Sequence, residues 1–178
     1  MPSFVNAPAT GPALGGATAS PWHRWLWISA IVIVLDYVTK QAVLSAFRPG
    51  EVVHVLPFFS LVLAFNPGAA FSFLADAAGW QRWLFTAIAA GAVVVIVWLL
   101  RRGGSAPFCA GLALILGGAV GNLFDRVTIG QVVDFLLFHW RGWSYPAFNV
   151  ADSAITVGAA LLILDAFRQR RVEQRKGA

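Results

Sequence analysis

Cysteine is almost absent from this sequence of 178 residues, which contains Cys109 alone. A single cysteine forms no intramolecular disulfide and supplies no cysteine-based metal site. Cys109 also lies inside an apolar run, which disfavours a catalytic role. We therefore expect neither a disulfide-stabilised domain nor a thiol enzyme.

Histidine and serine motifs of the common hydrolases are missing as well. The three histidines, His23, His54 and His139, are widely separated, and no H-E-x-x-H pattern is present. No serine lies in a G-x-S-x-G context. We therefore expect no metal and no cofactor, and we interpret His54 and His139 as loop residues at a membrane interface.

Charged residues are scarce. Only 12% of the chain is charged, whereas 58% is hydrophobic and the mean hydropathy is +0.72. Eight tryptophans and 14 phenylalanines add to this apolar character. Such a composition is unusual for a soluble domain and typical of one compact membrane unit with several spans.

The few charges are unevenly distributed. The formal net charge of +5 and the isoelectric point near 10.4 are compatible with nucleic-acid binding. However, five basic residues crowd at the C-terminal end, which favours contact with anionic lipid instead. They are Arg168, Arg170, Arg171, Arg175 and Lys176. We therefore expect membrane lipid as a partner and no nucleic acid.

Four long apolar segments predict four membrane-spanning helices. They lie at about residues 25–47, 83–100, 106–124 and 148–167. The segment that precedes them, residues 1–21, is rich in Ala, Gly, Pro, Ser and Thr and lacks a basic region ahead of a hydrophobic core. We interpret it as a flexible cytoplasmic tail, residues 22–167 as the membrane domain, and residues 168–178 as a basic cytoplasmic tail.

The segment between the first two spans has a different amino-acid composition. Its β-branched and aromatic residues, broken by Pro57, predict short strands on the membrane surface at about residues 48–73. Residues 71–80 predict a short interfacial helix. The expected fold is thus a membrane all-α protein, a four-transmembrane-helix bundle with a small β element.

Basic residues predict the orientation of this bundle. Eight of them fall at the end shared by both termini, and Arg48, Arg82, Arg126 and Arg141 fall at the other. The positive-inside rule then places both termini in the cytoplasm. The strands and the loop with Asp134 are expected on the outer face.

Most of the polar residues of the spans and loops gather at that outer end. A transport path would carry polar groups through the whole membrane thickness, so this grouping favours a reaction site. A non-enzymatic transporter subunit or lipid-binding scaffold, and more remotely an intramembrane serine protease, remain as alternatives. The grouped residues are Asp36, Lys40, Asn66, Asn122, Asp125, Arg126, Asp134, Asn149 and Asp152.

Asp134 and Asp152 are the candidate catalytic residues. Two close carboxylates cannot both ionise cheaply, so they share one proton and their pKa values split. The ionised member can then take a proton from water while the protonated member polarises a peptide carbonyl. The sequence leaves open which aspartate holds the proton.

Each of these residues also has a structural interpretation. Asp152 could be the third residue of a helix capped by Asn149, and Asp134 could be a solvated loop acid. Asp125 and Arg126 resemble a local charge pair that ends a helix. Asp36 and Lys40, at i and i+4, could be an ion pair that steadies the cleft.

Five short motifs contain most of these polar residues. They are Asp36-x-x-Thr39-Lys40, Asn66-x-Gly68-Ala69-Ala70-Phe71, Gly121-Asn122-x-x-Asp125-Arg126, Val132-Val133-Asp134-Phe135 and Phe148-Asn149-x-Ala151-Asp152-Ser153. Together, in matching order and spacing, they resemble the lipoprotein signal peptidase family of bacteria, also called signal peptidase II. The resemblance covers about residues 22–167.

The resemblance implies an aspartyl endopeptidase of the bacterial cytoplasmic membrane. Such an enzyme removes the signal peptide from prolipoproteins, just before a cysteine that carries diacylglycerol, and we expect it to act as a monomer. The resemblance also implies a catalytic dyad of Asp134 and Asp152 and a surface β-cradle at about residues 48–73. The residues it implies for substrate binding or for ordering the site are Asn66, Gly68, Asn122, Arg126 and Asn149.

Two features depart from the family pattern. Tyr37 stands where the family often has glutamine after the first aspartate, and the N-terminal tail is longer than usual. Neither feature touches the two candidate catalytic residues, although the packing near Lys40 is expected to differ.

Overall fold

Four long helices form the body of the protein. The computed structural model describes residues 21–68 and 79–176. All four helices are long and apolar enough to cross a membrane, so the predicted four-helix membrane fold is confirmed. They are α1 (Leu26–Ala46), which a short 3₁₀ turn (Trp22–Trp25) precedes, α2 (Trp80–Arg102), α3 (Ala106–Thr128) and α4 (Val150–Lys176).

Three helices extend beyond the predicted spans. Helix α2 begins before position 83, and α3 continues past position 124 to Thr128. The largest difference concerns α4, which runs through the basic segment to Lys176. No glycine or proline occurs between positions 159 and 176, so nothing in the sequence interrupts this helix.

Helix α3 is the centre of the bundle and contacts each of the other three helices. Glycines on its surface allow this close packing. A Cβ atom at Gly117 would lie 2.7 Å from Cβ of Val32 on α1, and one at Gly118 would collide with the backbone oxygen of Ala151 on α4. A side chain at either position would therefore push the neighbouring helix away.

Replacing Gly118 with alanine is expected to destabilise the bundle, because the obstructing atom belongs to the backbone of α4. Overpacking of this kind lowers the free energy of unfolding by about 1–3 kcal/mol. Gly91→Ala on α2 is the matched control, since a Cβ atom there would meet nothing within 4 Å. Unfolding in detergent checks the difference, and equal stability of the two variants would contradict the packing argument.

A small antiparallel sheet lies at one end of the bundle. Its four strands follow one another in the order β1-β2-β3-β4. The first two confirm the strands expected between the first two spans. The strands are β1 (Val52–Leu56), β2 (Phe59–Asn66), β3 (Val132–Trp140) and β4 (Trp143–Ser144).

Strand β3 corrects the sequence analysis, which places Asp134 in a loop. Residues 132–140 pair with β2 along most of its length, and Asp134 lies opposite Ala64. The loop assignment was wrong because the run contains the β-branched and aromatic residues of a strand, whose partner is distant in sequence. Asp134 therefore has a fixed backbone position.

The sheet packs on the end of α1 through one of its faces. Val43 of α1 forms an apolar cluster with Leu63 of β2 and with Val133 and Phe135 of β3. Side chains alternate between the two faces of a strand. Asp134, which lies between Val133 and Phe135, therefore points away from this cluster.

Two predictions fall on residues that the structure does not describe, or describes only in part. The interfacial helix expected at residues 71–80 lies outside the described residues as far as position 78, and Trp80 begins α2. The expected flexible tail lies outside them up to position 20.

Arginine–tryptophan contacts occur at both ends of the bundle, including the end opposite the sheet. The guanidinium of Arg101 lies 5.7 Å from the ring centroid of Trp22, and that of Arg102 lies 3.7 Å from that of Trp98. Such contacts suit a membrane interface, where both charge and aromatic surface are accommodated.

Candidate active site

Asp134 is almost completely buried, with 2% of its surface exposed. Both carboxylate oxygens accept hydrogen bonds from amide side chains. Asn149 donates from Nδ2 to Oδ1 over 2.8 Å, and Asn66 donates from Nδ2 to Oδ2 over 3.1 Å. Asp134 is therefore not the solvated loop acid of the structural interpretation.

Burial raises the pKa of Asp134 from 3.8 to about 7, and the nearby charge of Asp152 adds to this rise. The hydrogen bonds from Asn66 and Asn149, together with the charge of Lys40, oppose it. The rise prevails because the side chain has lost nearly all contact with water. At neutral pH the carboxyl group can therefore hold a proton or release one.

Asp152 lies in the first turn of α4, where its backbone and side chain complete a helix cap. Asn149 Oδ1 accepts a 2.9 Å hydrogen bond from the backbone N–H of Asp152, and Asp152 Oδ2 accepts one of 3.3 Å from the backbone N–H of Asn149. The predicted cap is therefore present. Only one carboxylate oxygen takes part in it, so the cap leaves the other available.

Two asparagines connect the candidate catalytic residues. Asn122 Nδ2 donates to the second oxygen of Asp152, Oδ1, over 2.7 Å. Asn122 Oδ1 accepts a 3.1 Å hydrogen bond from Nδ2 of Asn149, the amide that also donates to Asp134. Strand β3 and helices α3 and α4 thus bring Asp134 and Asp152 into one hydrogen-bonded network.

A buried ion triad supports this network. Lys40 Nζ lies 2.7 Å from Asp36 Oδ2 and 2.8 Å from Asp125 Oδ2. The expected pair of Asp36 and Lys40 is confirmed. The expected local pair of Asp125 and Arg126 was wrong, because among the described residues the ion-pair partner of Asp125 is Lys40 on the neighbouring helix.

The two carboxylates of the triad also fix the backbone around the site. Asp36 Oδ1 accepts a 2.9 Å hydrogen bond from the backbone N–H of Ala151, at the start of α4. Asp125 Oδ2 accepts one of 3.1 Å from the backbone N–H of Val133, next to Asp134. The triad therefore positions both chain segments that carry the candidate catalytic residues.

Arg126 joins α3 to the segment that follows β2. Its guanidinium donates to the backbone oxygen of Asn122 over 3.4 Å and to that of Gly68 over 3.5 Å. The backbone N–H of Gly68 in turn donates to Asn66 Oδ1 over 3.0 Å. Arg126 and Asn66 therefore line the same side of the site.

Two cavities meet at Asp152. One, of about 250 Å³, also has Asn66, Gly68 and Arg126 in its wall. The other, of about 550 Å³, is mainly aromatic. Its aromatic residues were not predicted as part of the site, although the sequence places all of them in the short stretch between Asp134 and Asp152. They are Phe138, Trp143, Tyr145 and Phe148.

The arrangement favours acid–base chemistry by carboxyl groups. Within residues 21–68 and 79–176, no three or more His, Cys, Asp or Glu side chains form a group able to hold a metal ion. Asp134 and Asp152 instead accept hydrogen bonds from amides. One buried acid with a raised pKa beside a more accessible carboxylate can deliver a proton and accept one.

His54 and His139 are not the loop residues that the sequence analysis expects. His54 belongs to β1 and His139 to β3. Their rings are hydrogen-bonded through the hydroxyl group of Ser60 on β2, which lies between the two strands. The interpretation was wrong for His139 because it did not include β3, and for His54 because that residue lies in the segment where strands were expected.

Comparison with known proteins finds lipoprotein signal peptidases of bacteria. The family model described as Signal peptidase (SPase) II matches residues 28–168. A lipoprotein signal peptidase of Paraburkholderia phytofirmans is 54% identical over 167 residues, which cover 93% of this chain and 94% of the relative. One of Burkholderia thailandensis is 56% identical over 158 residues, 88% of this chain and 93% of the relative.

Two solved structures of bacterial membrane enzymes have a similar fold. A bacterial membrane enzyme determined by the in meso method at 2.3 Å resolution superposes with a TM-score of 0.75 at 28% identity and covers 83% of this chain and 90% of its own. A second, at 1.9 Å resolution, gives a TM-score of 0.71 at 28% identity, over 81% and 92% of the two chains. With the family model matching most of its length, the chain belongs to the signal peptidase II family.

Proposed function

We propose that this chain removes signal peptides from diacylglyceryl-modified prolipoproteins and cleaves just before the lipidated cysteine, with Asp134 and Asp152 as its catalytic dyad. One observation carries the assignment of the dyad. The two carboxyl groups share a single amide network beside a cavity, and burial raises the pKa of Asp134 to about 7. Membership of the signal peptidase II family supports the choice of substrate.

Asp152 acts as the base in this reaction and Asp134 as the acid. Asp152 accepts hydrogen bonds from Asn122 and from the backbone at the start of α4, and it lines both cavities, where it can meet water. Asp152 takes a proton from water, the water oxygen attacks the scissile carbonyl carbon, and Asp134 gives its proton to the carbonyl oxygen. Collapse of the tetrahedral intermediate breaks the C–N bond, the leaving amine takes the proton from Asp152, and Asp134 recovers its own.

Lys40 and Asn122 set the donor pattern around Asp152. An ammonium group only donates hydrogen bonds, so the 3.2 Å contact with Lys40 Nζ requires the oxygen of the Asn122 amide on that side. The Asn122 amide then presents its N–H groups to Asp152. Lys40 is therefore a positioning residue that acts through Asn122 and does not touch substrate.

The two cavities bind different parts of the substrate. The smaller one offers Asn66, Gly68 and Arg126 to the peptide backbone around the cleaved bond. The aromatic cavity, of about 550 Å³, takes the apolar part of the substrate next to Asp152. The proposed enzyme acts as a monomer in contact with membrane lipid.

The chain resides in the bacterial cytoplasmic membrane with both termini in the cytoplasm and the active site on the outer face. Arg24, Arg101 and Arg102 at the end opposite the sheet support this orientation through the positive-inside rule. Introducing one cysteine at exposed Trp143 tests it, because Cys109 is buried. Labelling of intact spheroplasts by a membrane-impermeant maleimide is expected, and protection until lysis would reverse the orientation.

Cleavage is expected to slow as the pH rises through about 7, because Asp134 then loses the proton that it must donate. The pKa of this acid is raised, so the active protonated form predominates below that pH and is depleted above it. The pH dependence of kcat/KM measures the effect. A rate independent of pH between about 6 and 9 would contradict the assigned proton.

Asn66→Leu tests whether Asp134 is the group that titrates in the pH dependence of kcat/KM. The Asn66 amide donates to Asp134 and lowers its pKa, so its removal is expected to move the descending limb to higher pH. The total activity also falls, because Asn66 lines the cavity. A limb that stays in place would show that the titrating group is not Asp134.

A reconstituted reaction tests the function itself. Detergent-solubilised protein is incubated with a diacylglyceryl-modified prolipoprotein, and with the same precursor carrying serine in place of the lipidated cysteine. Cleavage of the first and not of the second is expected, seen as a change in product size. No cleavage of either would favour the alternative of a transporter subunit or a lipid-binding scaffold.

A further inference from the structure

A group of three polar side chains crosses the sheet away from the dyad. His54 of β1 lies directly opposite Ser60 of β2, and His139 of β3 approaches the same serine from the other side. In the alternation of β3, His139 shares a face with Val133 and Phe135, and Asp134 lies on the opposite face. The group is therefore separate from the catalytic machinery.

Two imidazole nitrogens converge on one oxygen atom in this group. Nδ1 of His54 lies 2.9 Å from Oγ of Ser60, and Nε2 of His139 lies 2.7 Å from it. A hydroxyl group has one proton, so it donates to one ring and accepts from the other. Both nitrogens are therefore directed at the same point and lie within two hydrogen-bond lengths of each other.

The backbone holds this geometry in place. The three residues come from three neighbouring strands in fixed register, and Ser60 is fully buried. The two rings meet edge to face with centroids 5.6 Å apart, and each ring directs one nitrogen at the Ser60 hydroxyl group. His54 is exposed and provides an access route from solvent.

We propose that His54 and His139 bind a divalent transition-metal ion of the zinc and copper class, with the Ser60 hydroxyl or water completing the coordination. Imidazole nitrogen is a preferred ligand of these ions. A tetrahedral zinc site with Zn–N distances of about 2.0–2.1 Å places neighbouring ligand atoms about 3.3 Å apart. The two distances from nitrogen to Ser60 Oγ, 2.9 and 2.7 Å, are already close to that spacing, and the two nitrogens would take up the same spacing on binding.

Binding has a structural consequence. The ion would join β1 to β3 across β2, and β2 and β3 carry Asn66 and Asp134. A ligand that binds only the folded state stabilises it, so the ion is expected to raise the unfolding temperature. Mg²⁺ and Ca²⁺, which prefer oxygen ligands, are expected to have no such effect.

The test uses untagged full-length protein in detergent, freed of metal with a chelator and titrated with Zn²⁺ or Cu²⁺ in a calorimeter. We expect one ion per chain, and binding weakened more than about tenfold in both His54→Ala and His139→Ala, because each removes one of two strong ligands. His23→Ala is the matched control, since His23 is the remaining histidine and lies before α1. It is expected to bind like the original protein.

Paramagnetic resonance of the Cu²⁺-loaded protein gives a second measurement that does not depend on the folding of the variants. We expect a spectrum with coupling to two imidazole nitrogens. Absence of that coupling, retention of the ion by either alanine variant, or its loss in His23→Ala would overturn the proposal.

Discussion

Replacing Asp152 with asparagine is expected to reduce the rate of prolipoprotein cleavage by at least about 10²–10⁴-fold, the usual contribution of a positioned acid or base. The amide keeps the size of the carboxylate, and its oxygen can still accept the hydrogen bond from the backbone of Asn149. Its NH₂ group then faces Nδ2 of Asn122, another donor, at a side chain that is only partly buried. The amide cannot take a proton from water, so the loss is expected in kcat, with a modest loss of stability at most.

Asp134→Asn is expected to be at least as damaging. The side chain is buried and Asn66 and Asn149 both donate to it, so a new NH₂ group would face at least one of these donors. The variant lacks the acidic proton and also disturbs the amides that join the two residues. We expect no measurable cleavage and a modest loss of stability.

Asp165→Asn is the control for both variants. Asp165 is another buried aspartate, 4% exposed, and it accepts hydrogen bonds from Ser105 and Gln169 near the other end of α4. It lies outside both cavities at the dyad, so this substitution is expected to leave cleavage unchanged. Appreciable turnover by Asp134→Asn or Asp152→Asn would reject the dyad, whatever the result for Asp165→Asn.

The helices of this protein could be predicted from local patterns. Apolar runs of membrane length mark all four, and the spacing of Asn149 and Asp152 marks the start of the fourth. Their ends were less certain, because a basic segment that leaves the membrane can remain helical. The helix α4 continues through Arg168 and Arg171 for this reason.

Only the first two strands of the sheet could be predicted from the sequence. Strands β1 and β2 are neighbours in sequence and are bounded by turn residues, whereas β3 is separated from β2 by two membrane helices. Its pairing depends on where those helices bring the chain back. No local pattern around Asp134 contains that information, although the alternation of Val133, Asp134 and Phe135 is compatible with a strand.

In the candidate site, too, only contacts between residues close in sequence could be predicted. The pair of Asp36 and Lys40 could be predicted because one helical turn separates the two residues. Asp125 comes to Lys40 only because α1 packs on α3, a contact that depends on glycines such as Gly117 and Gly121. Sequence alone therefore predicted that these polar residues lie together but assigned Asp125 the wrong partner.

The ion triad leads to the prediction with the largest expected effect on stability, for Lys40→Met. Lys40 is 1% exposed, and its removal leaves the carboxylates of Asp36 and Asp125 buried without a cation. Loss of one partner from a buried ion pair lowers the free energy of unfolding by about 3–5 kcal/mol. Unfolding by sodium dodecyl sulfate or by heat measures this loss.

Gln41→Met is the matched control, because Gln41 is the exposed neighbour on the same helix and receives the same new side chain. It is expected to unfold like the original protein. Adding Asp36→Asn to Lys40→Met removes one of the two uncompensated charges and is expected to recover part of the lost stability. The double variant would still cleave slowly, because Asn122 has lost the cation that orients its amide.

The double variant distinguishes two roles of Lys40, which are to neutralise the buried carboxylates and to orient the Asn122 amide. If Lys40 served only to neutralise Asp36 and Asp125, recovery of stability in the double variant would bring recovery of cleavage with it. If Lys40 also orients Asn122 toward Asp152, stability recovers and kcat does not. Equal stability of Lys40→Met and Gln41→Met would contradict both roles, since an uncompensated pair of buried carboxylates cannot be neutral in free energy.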